Sequence, residues 1–374
     1  MEAAYGKGKS TFGLALLVVP TFAKSPTRLA LERLYESAHG SEWQARSRWL
    51  SSFSVCKWHG IECASGSQQV TSVDLGGNGV RGTLPAQLGQ LTALRVLNID
   101  ESRLSGTLPA TLASSTQLHT ILLASNPRLS GTLPAYLGTL ASLSVLDVSN
   151  TRVSGSLSSA LGQLRQLERL QLDRSAVAGT VPTTLGSLTR AASIFMHACP
   201  ALSGTLPTEL GRATALLHGA SFASTRISGT VPTQIGRLSS LRALWLVNAS
   251  LSGTLPRAMG QLRALRQLEL HANRLSGSLP SQLSRLATTL KACVLTSAQG
   301  PHQPRHSMRP VDRPREDTNR FACPLPAGLP PPCLAHLSCH EQSASSFRED
   351  GGKRHGGRGR RREVRAAAAV RAAQ

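Results

Sequence analysis

Aromatic side chains are scarce: they make up 4% of the 374 residues, while hydrophobic residues reach 40%. A core of that size must therefore be filled by aliphatic side chains used over and over. Acids are scarce too, 20 Asp and Glu against 41 Lys and Arg, for a net charge of +21. Such an excess raises nucleic acid or an anionic membrane as partners, but its distribution argues against both. From Ser297 onward there are 14 basic and 7 acidic residues, and the remaining +14 is scattered singly along the chain. No known nucleic-acid module accompanies it, so no specific nucleic-acid partner is expected. Long apolar runs are missing: Phe12–Val19 is too short to span a bilayer. No G-x-S-x-G, H-E-x-x-H, paired C-x-x-C, kinase glycine loop or H-R-D segment occurs. Catalysis, a cofactor and a metal centre are therefore not expected.

What the sequence has in abundance is repetition. The segment 265–280 reads L-R-Q-L-E-L-H-A-N-R-L-S-G-S-L-P, and its Gly277 recurs as Gly82, Gly106, Gly131, Gly155, Gly179, Gly204, Gly229 and Gly253. Every step is 24 or 25 residues, the signature of stacked leucine-rich coils. One coil cannot bury Leu265, Leu268, Leu270 and Leu275 alone, so neighbours must share a continuous core. In L-E-L-H the leucines alternate with polar residues, as in a strand with one buried face. Asn273, with Asn78 and Asn126 in the same column, is placed to bond the turning backbone. Short polar residues hold most of the other column positions, and Ala249 alone has no polar side chain there. Stacked side by side, the strands predict a parallel sheet along one edge of an α/β solenoid. Ala220 and Phe222 stand where aliphatics are usual, which predicts an irregular seventh coil.

Ahead of the repeats, Lys7 and Lys9 precede the apolar run and small residues follow it, so 1–23 reads as a signal peptide. The stretch 3–10, A-A-Y-G-K-G-K-S, also fits a relaxed phosphate-loop pattern, but only Met1 and Glu2 precede it where a strand is needed. Nucleotide binding is not expected. Residues 27–66 supply Trp43, Trp49 and Trp58 and a helix-spaced face of Leu31, Leu34 and Tyr35, the apolar area a terminal cap requires. Cys56 and Cys63 are close enough to form a disulfide in an oxidising compartment; two buried free thiols are the alternative.

The cap block, with C-K-W-H-G-I-E-C at 56–63, and the L-S-G-T-L-P coils resemble plant-type leucine-rich repeat proteins. The resemblance runs from about Leu29 to Leu295. It implies a right-handed superhelix, with ligands bound on the concave sheet and its flanks, as in receptor ectodomains, receptor-like proteins and secreted inhibitors. The expected organisation is cap at 27–66, nine coils plus a partial tenth at 67–296, and a tail at 297–374. After Leu295 no second Cys-bearing cap like the family's is evident, and Leu290 and Leu295 have nothing obvious to cover them. The Pro-, Arg- and Gly-rich tail predicts disorder and dispensability. Without a transmembrane helix or kinase motif, the chain as it stands is expected to be neither a receptor kinase nor a membrane-spanning receptor.

Function then rests on outward strand positions. They present Asp74, Asn98, Asp100, Glu101, Asp147 and Asp173 in the N-terminal half, then Phe195, His197, Trp245, Val247, Glu269 and His271. His197 and His271 lie three coils apart, about 14 Å, too far for one metal ion. Asn248-Ala249-Ser250 is a glycosylation sequon expected on the same face. The expected ligand is a protein or peptide contacting Asp74, Asp100, Glu101, Asp147, Asp173, Phe195, His197, Trp245 and His271. A cell-wall polysaccharide is the alternative partner of a structural protein. The expected location is secreted or cell-surface, with a cytoplasmic scaffold as the alternative if the signal is retained. Binding of an anionic partner through the tail is a further rival.

Overall fold

A computed structural model describes residues 24–296, 319–322 and 325–334, with the backbone of 339–340. The signal-peptide and phosphate-loop expectations, and most of the tail, lie outside the described residues. Eleven strands form one sheet: Ile61–Cys63 runs antiparallel to Val70–Asp74, and one short parallel strand per coil follows, up to Ala292–Val294. A second edge is built from the L-S-G segments, in a three-stranded and an eight-stranded sheet. Between the two edges each coil makes a 3₁₀ turn, from Ala86–Gln90 to Ser281–Leu286. Among the described residues, α-helix is limited to Pro26–Ser37 and Pro331–Leu334, and no helix is long and apolar enough to cross a membrane.

Coil stacking explains two glycine positions. Gly277 has φ +78°, which an L side chain rarely adopts. A Cβ there would also stand 2.6 Å from Thr254 Cγ2. Gly138, in the 3₁₀ turn, has ordinary φ but lies against the next coil: a Cβ would be 2.5 Å from the Ala160 carbonyl oxygen. The second glycine therefore sets how closely coils approach. Inside, the Asn column works as expected. Asn126 donates to the carbonyls of Ile99, Leu123 and Ala124 and accepts from Leu104 N. Thr151 and Thr225 supply a hydroxyl bond to Val148 O and Phe222 O at the same position. The seventh coil is regular, contrary to expectation: Gly219–Ser221 pairs in register on both sides, and bulky Phe222 sits fully buried beside small Ala220.

The N-terminal cap covers the first coil with aromatic area. Helix Pro26–Ser37 starts at Ser25, whose hydroxyl accepts from Arg28 N, with Pro26 at the first position. Tyr35, Trp43, Trp49 and Trp58 form a chain of ring contacts with centroids 4.9–5.7 Å apart. Asn78 ties the cap on, accepting from Ala45 N and donating to Ala45 O. Cys56 and Cys63 are disulfide-bonded. The pair closes a short loop worth roughly 2–3 kcal/mol. Replacing both by serine is expected to lower stability by about that much in urea unfolding of the oxidised protein; an unchanged midpoint would show that the bond contributes nothing.

At the other end part of the expected tail packs onto the coils. Arg320–Ala322 pairs parallel with Arg274–Ser278, in the register Ser276 to Arg320, Gly277 to Phe321 and Ser278 to Ala322. Asn319 Oδ1 accepts from Leu275 N at 2.7 Å, and its amide donates to Leu270 O and Leu295 O. One coil earlier Asn273 accepts from Leu251 N and donates to Leu246 O and Leu270 O. Residues 319–322, N-R-F-A, thus continue the tenth coil as 273–276, N-R-L-S, continue the ninth. Asn273 follows Leu270 by three residues, whereas Asn319 follows Leu295 by 24. That insertion hides the period in the sequence. Cys333, on the helical turn Pro331–Leu334, is bonded to Cys293 of the last described strand of the large sheet. Leu290 and Leu295, expected to be uncovered, are 4% and 1% exposed. The array has a C-terminal cap with its own disulfide.

Candidate functional site

Parallel pairing places the outward side chains in rows. One row reads Asp74, Asn98, Leu122, Asp147, Gln171, Phe195, Ser221, Trp245, Glu269 and Val294 across ten strands. Two residues further along each coil lie Asp100, Asp173, His197 and His271. Successive strands are about 4.8 Å apart, so the first row is some 40 Å of rigid surface with acids at one end and aromatics towards the other.

The acidic end is held by short bonds. Asn98 Nδ2 donates to Asp74 Oδ1 at 2.9 Å, and Ser149 N donates to Asp147 Oδ1 at 2.9 Å. Asp173 Oδ1 accepts from His197 N, one coil on, at 2.6 Å. None of the five ion pairs among the described residues involves a concave-face acid. Burial pushes the Asp100 carboxyl upward, helped by the charges of Glu101, Asp74 and Asp147. For Asp173 burial dominates and the carboxyl is raised to about 6, with Asp147 adding to the rise and the His197 N–H opposing it. Glu269 is raised by burial alone. The face thus holds several carboxylates, of which Asp100, Asp173 and Glu269 are costly to ionise without a cation nearby.

The aromatic end is formed by Phe195 and Trp245, both expected there from the sequence, and the structure adds a direct contact between them. Phe195 and Trp245 are two strands apart, yet their ring centroids approach to 5.8 Å at 52°. They meet across the seventh coil, where the row position is Ser221 and the flanking residue Gly219. A Cβ on Gly219 would stand 3.2 Å from Phe195 Cε1. The signal was present in G-A-S at 219–221, small residues where other coils carry larger ones.

Two expected residues sit elsewhere. Glu101 is past the strand, in a turn with φ 47°, so it lines the rim and not the sheet. Asn248 also has positive φ, 51°. It is 8% exposed and its amide donates to Ser224 Oγ, so a glycan there would displace a bond between coils and is not on the open face. Asp74, Asp147, Phe195 and Trp245 lie on strands of the large sheet, and Asp100, Asp173, His197 and His271 lie two residues beyond the ends of theirs.

Comparison with known proteins agrees with this geometry. The family model Leucine Rich Repeat matches residues 264–286. The chain is 31% identical over 80 residues to Receptor-like kinase TMK4 of Arabidopsis thaliana, covering 21% of this chain and 8% of that protein. It therefore spans a small part of that relative's length. Among solved structures, the ectodomain of the Arabidopsis thaliana receptor kinase GASSHO1/SCHENGEN3, in complex with CASPARIAN STRIP INTEGRITY FACTOR 2, is 26% identical with a TM-score of 0.62, over 72% of this chain and 35% of that one. The Arabidopsis receptor kinase HAESA, in complex with the peptide hormone IDA and the co-receptor SERK1, is 25% identical with a TM-score of 0.57, over 73% and 50%. Coil period, sheet register and these likenesses converge: the chain is a leucine-rich repeat solenoid similar to the ectodomains of plant receptor kinases.

Proposed function

We propose that the chain is a non-catalytic recognition module, secreted or at the cell surface, that binds a protein or peptide along its concave sheet. The observation that carries this reading is the in-register row from Asp74 to Trp245, acidic at one end and aromatic at the other. A ligand with a basic end over Asp74, Asp100, Asp147 and Asp173 and an apolar end on Phe195 and Trp245 fits it. Glu101 contributes from the rim, and His197 and His271 line the second row. Strand pairing holds these side chains in place before binding, so little ordering entropy opposes the contacts. The peptide-hormone complex of HAESA supports the ligand class. Exposed acids govern encounter and specificity more than affinity, so Asp147→Asn is expected mainly to flatten the salt dependence of binding. Titrating a selected basic peptide at two ionic strengths tests this; an unaltered salt slope removes Asp147 from the site.

Asp173 makes a pH prediction. Its folded-state carboxyl, at about 6, lies above the usual value near 3.9. The ionised form therefore costs stability above about pH 6, and that cost disappears as pH falls through 6 towards 4. Asp173→Asn should be more stable relative to the parent at pH 7 than at pH 4, by about 1–3 kcal/mol. Over the same interval a cationic ligand should bind the parent less well as the carboxylate protonates, and the variant should lack that step. Urea unfolding and peptide titration at pH 7 and 4.5 check both; parallel pH profiles for parent and variant would contradict the assignment.

A further inference from the structure

A second site lies at the leading edge of the same sheet, in the last three coils, and nothing in the reading above uses it. Arg242, Arg266 and Lys291 each stand one residue before their strands, Ala243–Trp245, Gln267–Glu269 and Ala292–Val294. Backbone bonds pin them in a column. Arg266 N and Gln267 N both donate to Arg242 O, at 2.8 and 3.0 Å, and Lys291 N and Ala292 N both donate to Arg266 O, at 2.7 and 2.9 Å. The three side chains are exposed and line a groove of about 440 Å³ together with hydroxyl residues that include Ser239, Ser240 and Thr289. No acid lines it, and none of the ion pairs among the described residues engages these cations.

We propose that this groove binds an acidic polysaccharide, a sugar chain carrying carboxylate or sulfate groups. Three cations repeated at about 4.8 Å suit a chain with successive anions better than a single small anion. Two are arginines, whose planar forks take a carboxylate or sulfate by two parallel bonds. The hydroxyl-bearing wall suits sugar hydroxyls between the anions. The lining contains no aromatic ring, and single-stranded nucleic acid is held largely by stacking on such rings. Nor does it reach the cluster of four to eight basic residues that marks recognition of anionic lipid surfaces. The groove is separate from the concave row and does not depend on the peptide-binding proposal.

The test compares the full chain with two triple variants of equal charge change. R242Q/R266Q/K291Q empties the groove of cations. R103Q/R128Q/R152Q removes three exposed arginines from consecutive coils on the other edge of the solenoid. Binding is measured to polygalacturonate, dextran sulfate, neutral dextran and single-stranded DNA, after thermal unfolding has shown both variants folded. Charge on the basic C-terminal stretch is the same in all three proteins, so it cancels in the comparison. The expected result is a loss of about tenfold or more in affinity for polygalacturonate or dextran sulfate in the groove variant, against less than about twofold in the control. Which of the two loses more identifies carboxylate or sulfate as the anion. Equal losses in both triples, no loss in the groove triple, no binding to either anionic saccharide, or the same loss with DNA bound as tightly would each overturn the proposal.

Discussion

Ending the chain at Thr296 is expected to lower stability by several kcal/mol and to broaden the unfolding transition. Nine coils would remain, but the face of the tenth would open. Leu290 and Leu295, now 4% and 1% exposed, would meet water, and Phe321, now fully buried, would be gone. Loss of a buried Phe side chain alone costs about 3–5 kcal/mol. Removing Asn319 would also take away the partners of Leu295 O and Leu275 N, while Leu270 O keeps its bond from Asn273, and buried backbone groups left unpaired cost about 1–3 kcal/mol each. The disulfide between Cys293 and Cys333 has a sequence separation of 40, a loop worth roughly 4 kcal/mol on the disputed chain-entropy account. Cys333→Ser should therefore cost about 2–4 kcal/mol by itself, and truncation should cost more. Urea unfolding of full-length, Cys333→Ser and 1–296 proteins orders the three. A truncated protein that unfolds at the parent midpoint would mean that residues 319–334 cover nothing that matters.

The second large effect concerns the aromatic pair. Trp245→Ala should weaken a concave-face ligand by about 2 kcal/mol or more, since buried aromatics dominate interface energetics. Phe195→Ala should add to it, and the two losses should not be additive, because the rings touch at 5.8 Å. Removing either leaves the other without its neighbour across Ser221. The double variant should bind at least about a hundredfold less tightly while its thermal unfolding stays close to that of the parent, both rings being only partly buried. Isothermal titration with a selected peptide measures the cycle. Unchanged affinity in the double variant would move the site off this face.

Much of this architecture is legible in local chemistry. The glycine period, the alternation in L-E-L-H and the Asn column each depend on residues within one coil, and the coils stack as those patterns require. Cys56 and Cys63 are near in sequence, and so is their bond. Features set by distant residues were not legible. The tenth coil resumes at Asn319 after an insertion that breaks the period, so N-R-F-A reads as tail until its register with Arg274–Ser278 is seen. The contact of Phe195 with Trp245 depends on what the intervening coil lacks, which spacing alone does not weigh. Glu101 lies three residues beyond its strand Val96–Asn98, where the turn adopts a left-handed conformation. The cation column of Arg242, Arg266 and Lys291 was visible as scattered charge, but only stacking turns it into a groove.

The central claim is that ligand lies across the concave acids, and carboxylate footprinting tests it most directly. A peptide selected from a library for tight binding is added at saturation, and carbodiimide labelling of each acid is compared with the free protein. The account predicts protection of Asp74, Asp147 and Asp173, no change at the exposed acids Glu36 and Glu168, and loss of that protection in the Trp245→Ala, Phe195→Ala variant. Protection centred on Glu36 or Glu168, or equal labelling of the concave acids with and without bound peptide, would contradict it.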